Sequence, residues 1–305
     1  MHQYRLWLGS LLVLQLLLAA GIFLSVGSSQ SDRQQTPLLT FSKDNINKLI
    51  ISNGSDSESD SVVMFKQDNH WSLPGLENLP VDRARLDSTF TKLQGLHTNW
   101  PVATTTGSHQ RFEVSDGKFQ RRIQLYQDDT LISTLFLGTS PGFRKAHVRS
   151  SDDDEVYALA LNAYDFPSNA IGWLDKSLLA AKDIEAITGA DFSLKKADST
   201  WALFDNNGDE FTTRLNEDKA QQLSQALILL QVIGVAEESP EPDPADVTTL
   251  TVSGLHDGHY SFFKKDDKYY VKQDRQPVIF TISQYDYDRI ATIQLSDLIL
   301  AEKDL

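Results

Sequence analysis

Two stretches of this chain lie on one another without a gap. Residues 162–183, NAYDFPSNAIGWLDKSLLAAKD, align with residues 283–304, SQYDYDRIATIQLSDLILAEKD. Tyr164-Asp165-Phe166 falls on Tyr285-Asp286-Tyr287, Leu174 on Leu295, Leu179-Ala180 on Leu300-Ala301, and Lys182-Asp183 on Lys303-Asp304. Upstream, Lys66-x-Asp68-x-x-Trp71-x-Leu73 matches Lys196-x-Asp198-x-x-Trp201-x-Leu203. Recurrence of the same spaced residues in the same order is the mark of one supersecondary unit used twice. Most of the chain is therefore expected to be two copies of a single module.

The pattern inside each copy gives its elements. Leu86, Phe90, Leu93 and Leu96 recur at i, i+3/i+4 steps within residues 81–96, and Leu223, Leu227, Leu230 and Ile233 do so within 217–233. Those steps predict amphipathic helices. Short alternating stretches follow, at 121–126, 131–137, 147–149 and 156–159 in the first copy. In the second they lie at 247–252, 259–264, 269–272 and 278–282. Asp116-Gly117, Asp257-Gly258 and Asp266-Asp267 carry hairpin-turn chemistry. Each module reads β-β-β-α-β-β-β-β-α, an α+β unit with antiparallel strands and a helix on one face. The acidic, proline-alternating stretch 237–246, EESPEPDPAD, reads as an extended solvated loop in the second copy.

Ahead of the modules, residues 6–26 form an uncharged apolar run, LWLGSLLVLQLLLAAGIFLSV. At ~1.5 Å per residue a helix of that length spans roughly 31 Å, a bilayer's hydrocarbon core. A cleaved secretory signal is the competing reading, but its apolar centre is usually shorter. The expected organisation is a short cytoplasmic N-terminus (1–5), a transmembrane anchor (6–26), a linker (27–42), a first α+β module (43–182) and a second (183–305). Arg5 ahead of the run favours a cytoplasmic N-terminus and an extracytoplasmic, periplasmic body at the inner membrane. The net charge of −14 argues against nucleic acid as a partner. The chain has no cysteine, which removes disulfides, thiolate nucleophiles and cysteine metal sites together.

Motifs that could carry chemistry are weak. Gly138-Thr139-Ser140-Pro141-Gly142 fits the nucleophile-elbow pattern of a serine hydrolase, but an elbow needs a helix after the serine, and Pro141-Gly142 reads as a turn. Asp205-Asn206-Asn207-Gly208-Asp209-Glu210 is calcium-loop-like, yet the sixth and twelfth positions hold Glu210 and Asn216 instead of glycine and glutamate. Asp152-Asp153-Asp154-Glu155 reads as a solvated acidic loop. His256 and His259 lack the further ligands that zinc needs. No catalytic, cofactor or metal residue is expected. The repeated aromatics, Trp71, Trp201, Tyr164, Tyr285 and Tyr287, remain candidates for contact with a partner or with a glycan or peptide ligand if exposed, and for core anchors if buried.

These residues resemble a bacterial family called domain of unknown function 4340. The likeness runs through the apolar 46–51 segment, Trp71-Ser72-Leu73-Pro74, the 81–96 helix pattern, Leu137-Gly138, Val156-Tyr157-Ala158-Leu159, and Leu178-Leu179 through Asp183-Ile184. It covers about 46–204, and the rest more loosely. Members of the family carry an N-terminal membrane segment and are often encoded with ABC-type export systems. The resemblance implies a non-enzymatic interaction module accessory to such a transporter or to cell-envelope assembly, touching lipid through residues 6–26 and integral-membrane transporter subunits. It carries over no catalytic residue.

Overall fold

The computed structural model describes residues 7, 13–21, 35–54, 61–198 and 200–300. In chain order the first part holds β1 (Lys48–Ser52), β2 (Ser61–Gln67), β3 (His70–Leu73), β4 (Leu79–Pro80) and helix α1 (Arg83–Gln94). A short helix α2 (His109–Phe112) and a hairpin of β5 (Val114–Ser115) and β6 (Lys118–Phe119) follow. Then come β7 (Arg121–Gln127), β8 (Thr130–Leu137), β9 (Ala146–Ser150) and β10 (Tyr157–Leu159). The first sheet runs β4-β3-β2-β1-β7-β8-β9-β10. Its central strand is paired on both sides, with Ile51 opposite both Val62 and Ile123. Alternation sends Leu49, Ile51, Val62, Met64, Ile123 and Leu125 inward, into one cluster with Leu86, Phe90 and Leu93 of α1. Asp82 caps α1, accepting from Arg85 N at 3.0 Å.

The second sheet is built from β11 (Ala186–Thr188), β12 (Phe192–Ala197), β13 (Thr200–Asp205), β14 (Val232–Val235), β15 (Thr248–Ser253), β16 (Gly258–Lys265), β17 (Lys268–Gln273) and β18 (Ile279–Ile282). Its helices are α3 (Glu217–Ile228), α4 (Gln284–Ile290) and α5 (Leu295–Leu298). The order is β13-β12-β11-β15-β16-β17-β18-β14. Strand for strand it follows the succession β3-β2-β1-β7-β8-β9-β10, with β14 added beyond β18 where the first sheet adds β4 beyond β3. The turn Asp266-Asp267 joins β16 to β17 with both residues left-handed, at φ 49° and 58°, as a two-residue hairpin requires.

The expected architecture, a transmembrane helix before two duplicated α+β sheet-plus-helix modules, is corrected by the structure. Regular structure is mostly antiparallel strand in three sheets, with few helices. Among the described residues no helix is long and apolar enough to cross a membrane. Residues 13–21 are helical, which is roughly 14 Å of helix against the ~30 Å of a hydrocarbon core. The rest of the 6–26 run lies outside the described residues. Residues 36–39, expected in a linker, pack against the end of α1: Leu38 N donates to Leu96 O at 2.8 Å, and Leu38 and Leu39 are buried.

Three smaller expectations are corrected as well. The second amphipathic pattern stops being helix at Ile228. The stretch is rich in β-branched residues, and Val232, Gly234 and Val235 pair with β18 instead; Ile233 falls at the register shift between Val232 and Gly234 and is exposed. The first copy's closing helix does not form. Pro167 falls inside it, and only 3-10 turns appear at Ala163–Asp165 and Ala170–Gly172. Lastly, the gap-free alignment slips. Asn162 and Ser283 both cap a turn, but further on Asp82 N donates to Trp173 O while Asn216 N donates to Leu298 O, each at 2.8 Å. Leu174 therefore bridges Val81, and its counterpart at Leu215 is Ile299, not Leu295. The second copy carries about one extra helical turn here, supplied by α4.

The segment after β10 fastens the two sheets together. Asp82 N donates to Trp173 O and Asp175 N to Pro80 O, both on the first sheet's side; Val232 N donates to Lys176 O and Ala181 N to Leu227 O on the second's. The Tyr260 hydroxyl reaches Leu179 O at 3.0 Å. Trp173 is 0% exposed, donates its indole N–H to Pro167 O at 2.7 Å, and lies under the Arg85 guanidinium at 5.1 Å. Trp173→Ala is expected to cost about 3–5 kcal/mol, read as a lower urea midpoint, with both sheets lost in one transition.

Candidate functional site

The repeated aromatics do not form one site. Trp71 is half-buried and meets the Phe90 ring at 5.8 Å, and Trp201 is buried beneath Lys196. Both anchor strands. Tyr287 is half-buried against Tyr269, ring centroids 5.0 Å apart; burial, then Asp246 and Asp288, raise its pKa. Tyr285 is exposed with Arg289 over its ring at 4.9 Å. Tyr164, 84% exposed, stands on a groove.

That groove, about 670 Å³, crosses one end of the first sheet. It gathers the residue after β1 (Asn53), the start of β7 (Gln120, Arg121), the β8–β9 loop (Ser140, Arg144, Lys145) and the turn after β10 (Asn162, Tyr164). The loop is what sets this end apart. Residues 138–145 connect β8 to β9, where the corresponding strands of the second sheet, β16 and β17, are joined by Asp266-Asp267 alone. Functional residues concentrate on such extended loops over a rigid frame.

The loop is held firmly. Gly138 N donates to His147 O and His147 N to Thr139 O, both at 2.9 Å. Gly138 is obligatory, since a Cβ there would meet Phe112 O at 1.9 Å. Thr139 Oγ1 and His147 Nδ1 are 2.9 Å apart, and the imidazole packs on the Phe112 ring at 4.4 Å. Ser140 Oγ lies 2.7 Å from the carbonyls of Gly142 and Lys145, its acceptors. Beyond it Arg144 turns left-handed at φ 55°, and Phe143 stands 87% exposed at the tip.

Arg121 is the fixed cation of the groove. Its Nε donates to Phe166 O at 2.8 Å, and its Nη1 to Gln120 O at 2.6 Å and to Asn53 Oδ1. Burial lowers its pKa, while Tyr164 acts in the opposite sense; an arginine remains charged regardless. The sequence holds a signal for these cations that pattern reading passed over. Residues 130–151 contain no carboxylate in a chain with 42 of them, and they include Arg144, Lys145 and Arg149.

The motifs weighed for chemistry are accounted for structurally. Ser140 sits in a strand–turn–strand, not the strand–turn–helix of a nucleophile elbow. Asp205 spends its carboxylate on its own turn, accepting from Asp209 N at 2.8 Å and Asn207 N at 2.9 Å; these bonds lower its pKa. His259 Nδ1 lies 3.0 Å from Thr251 Oγ1. In the acidic run, Asp153 and Asp154 offer backbone carbonyls to Arg149 and His109. Among the described residues no group of three His, Cys, Asp or Glu could hold a metal.

A family model described as "Domain of unknown function (DUF4340)" matches residues 71–252, and the chain belongs to that family. No curated protein and no solved structure gave a match.

The buried His147 makes the groove's frame sensitive to acid. Burial is the main cause of its lowered pKa, and Arg111 adds in the same sense. The unfolded imidazole therefore takes up a proton first as pH falls, and stability rises with pH between the folded and unfolded values. The contribution is complete above about pH 6.5 and is lost as pH falls through the lower, folded value. His147→Gln is expected to flatten this part of the profile, measured as urea unfolding free energy at neutral and mildly acidic pH.

Proposed function

We propose that this member of the family is an extracytoplasmic interaction module, accessory to an ABC-type transport or cell-envelope system, without catalytic chemistry of its own. It works on the periplasmic side of the inner membrane, with lipid contact through the apolar run 6–26 and with integral-membrane transporter subunits as partners. The observation that carries this reading is the groove at the end of the first sheet. It is built on a loop that the second sheet lacks and is lined by exposed Tyr164, Arg144 and Lys145, while Phe143 stands exposed on the same loop. Exposed aromatics next to arginine are the residue types that dominate protein interfaces.

A second reading, a periplasmic peptide- or glycan-binding module, draws support from the same groove, where Asn53, Gln120 and Asn162 stand near Tyr164. A serine hydrolase has the least support: Ser140 Oγ is engaged with carbonyls, and the nearest imidazole contact, from His147, goes to Thr139. Cross-linking in cells, mild detergent extraction and affinity capture of the tagged chain should recover integral-membrane transporter subunits. Capture of the chain alone, with and without cross-linker, would overturn the interaction reading.

A further inference from the structure

We infer that the groove binds an acidic, extended peptide segment of a partner protein. This rests on the interaction reading above and specifies the chemistry of the partner at that site. Three cations line the groove, Arg121, Arg144 and Lys145, and among the described residues none of them has a carboxylate partner. Four cations elsewhere among the described residues do, Lys92 with Asp165, Lys118 with Glu113, Arg149 with Asp116, and Lys264 with Asp267; what sets the groove apart is that three without one meet in a single concavity. Convergence of three unpaired cations in a chain of net charge −14 marks a place that attracts negative charge where most of the surface repels it.

The polar atoms left over match a peptide. Three acceptors fix the Arg121 guanidinium and leave Nη2 for a carboxylate at little further entropic cost. Asn53 and Asn162 use their Oδ1 atoms, on Arg121 and on Tyr164 N, so their amide N–H groups remain to donate to peptide carbonyls. Gln120 donates its amide to Glu113 at 3.2 Å, so its carbonyl remains to accept a peptide N–H. The Tyr164 ring lies open beside these groups, with Phe143 next to Arg144 at the loop tip, and both suit an apolar side chain between acidic ones.

An anionic bilayer is the poorer fit. Surface binding to such lipid uses clusters of about four to eight mobile Lys/Arg side chains. Here there are three, one of them tied down at the floor of a concavity, on a chain whose overall charge opposes approach.

The test uses the full chain and a short fluorescein-labelled peptide alternating Glu and Phe, followed by fluorescence polarisation. Binding should weaken steeply with salt. It should fall at least about tenfold for the Gln-for-Glu peptide and for the double variant Arg144→Glu/Lys145→Glu. Both residues are exposed, so the variant should keep the wild-type melting temperature; Tyr164→Ala supplies an independent loss. Equal binding of the neutral peptide, or binding unaffected by these variants, would overturn the inference. Sedimentation with phosphatidylcholine/phosphatidylglycerol vesicles that the double variant abolishes would overturn it in favour of lipid. Replacing Asp56, Glu58 and Asp60 by Ser should leave peptide affinity unchanged; a marked gain would assign the groove to the chain's own acidic segment. If the double variant loses the peptide but still captures the same membrane subunits after cross-linking, this inference fails while the interaction reading stands.

Discussion

The hydrogen bonds made by the segment between β10 and β11 are the constraint on which the rest of the structure depends. Backbone groups near Trp173 and Asp175 complete the entry to α1, and those near Lys176 and Ala181 receive the exit of α3 and the edge strand that follows. Buried backbone polar groups must be paired, so neither sheet's helix can shift without leaving donors or acceptors stranded on this strap. The indole of Trp173 fills the space between, and its N–H is itself satisfied by Pro167 O. The strap is thus both connector and core. The turn bearing Tyr164 belongs to the same segment and is tied to α1 through the Lys92–Asp165 pair at 2.7 Å, so the groove is braced by the joint between the sheets.

Periodicity made most of the strands legible. The alternation at 131–137 and 269–272 places β8 and β17 nearly to the residue, because one face of each sheet must be apolar. The apolar stripe of α1 is equally plain, since Leu86, Phe90 and Leu93 are all buried, with Leu96 buried just past the helix end. Local pattern failed where tertiary pairing overrode it. Ile233 continues a helical stripe on paper, but hydrogen bonding to β18 turns that stretch into an edge strand. Leu174 and Leu295 share a letter but not a place, because backbone bridges and not identities fix equivalence. The groove was the least legible part. Its chemistry comes from the ends of strands far apart in sequence, and a search for repeated residues overlooks a loop that only one sheet possesses.

Covering the second face of the first sheet has its own solution. The β5–β6 hairpin lies there, its Val114 and Phe119 clustering with Phe136 and Val156. Arg149, almost fully buried, holds it through Val114 O at 2.8 Å and lies over the Phe136 ring at 4.6 Å. A guanidinium can sit there because it finds both carbonyl acceptors and an aromatic face. This small cluster also carries the Phe112 and Val114 backbone against which Gly138 and Arg149 close, so the hairpin sets the position of the β8–β9 loop.

The left-handed turns have a consequence for how the chain's charge should be understood. Among the described residues six aspartates, Asp68, Asp128, Asp183, Asp198, Asp266 and Asp267, hold positive φ, a conformation that asparagine and glycine adopt at least as readily. At these corners the bend itself asks for a small residue that tolerates it; of the six, Asp128 also accepts from Asn47 Nδ2 and Asp267 pairs with Lys264. Exchange of all six for Asn or Gly would take the net charge from −14 to about −8 with the bends kept. Sister chains of the same shape could differ widely in electrophoretic mobility and salt tolerance, and for them the count of acidic residues would be a poor measure of kinship.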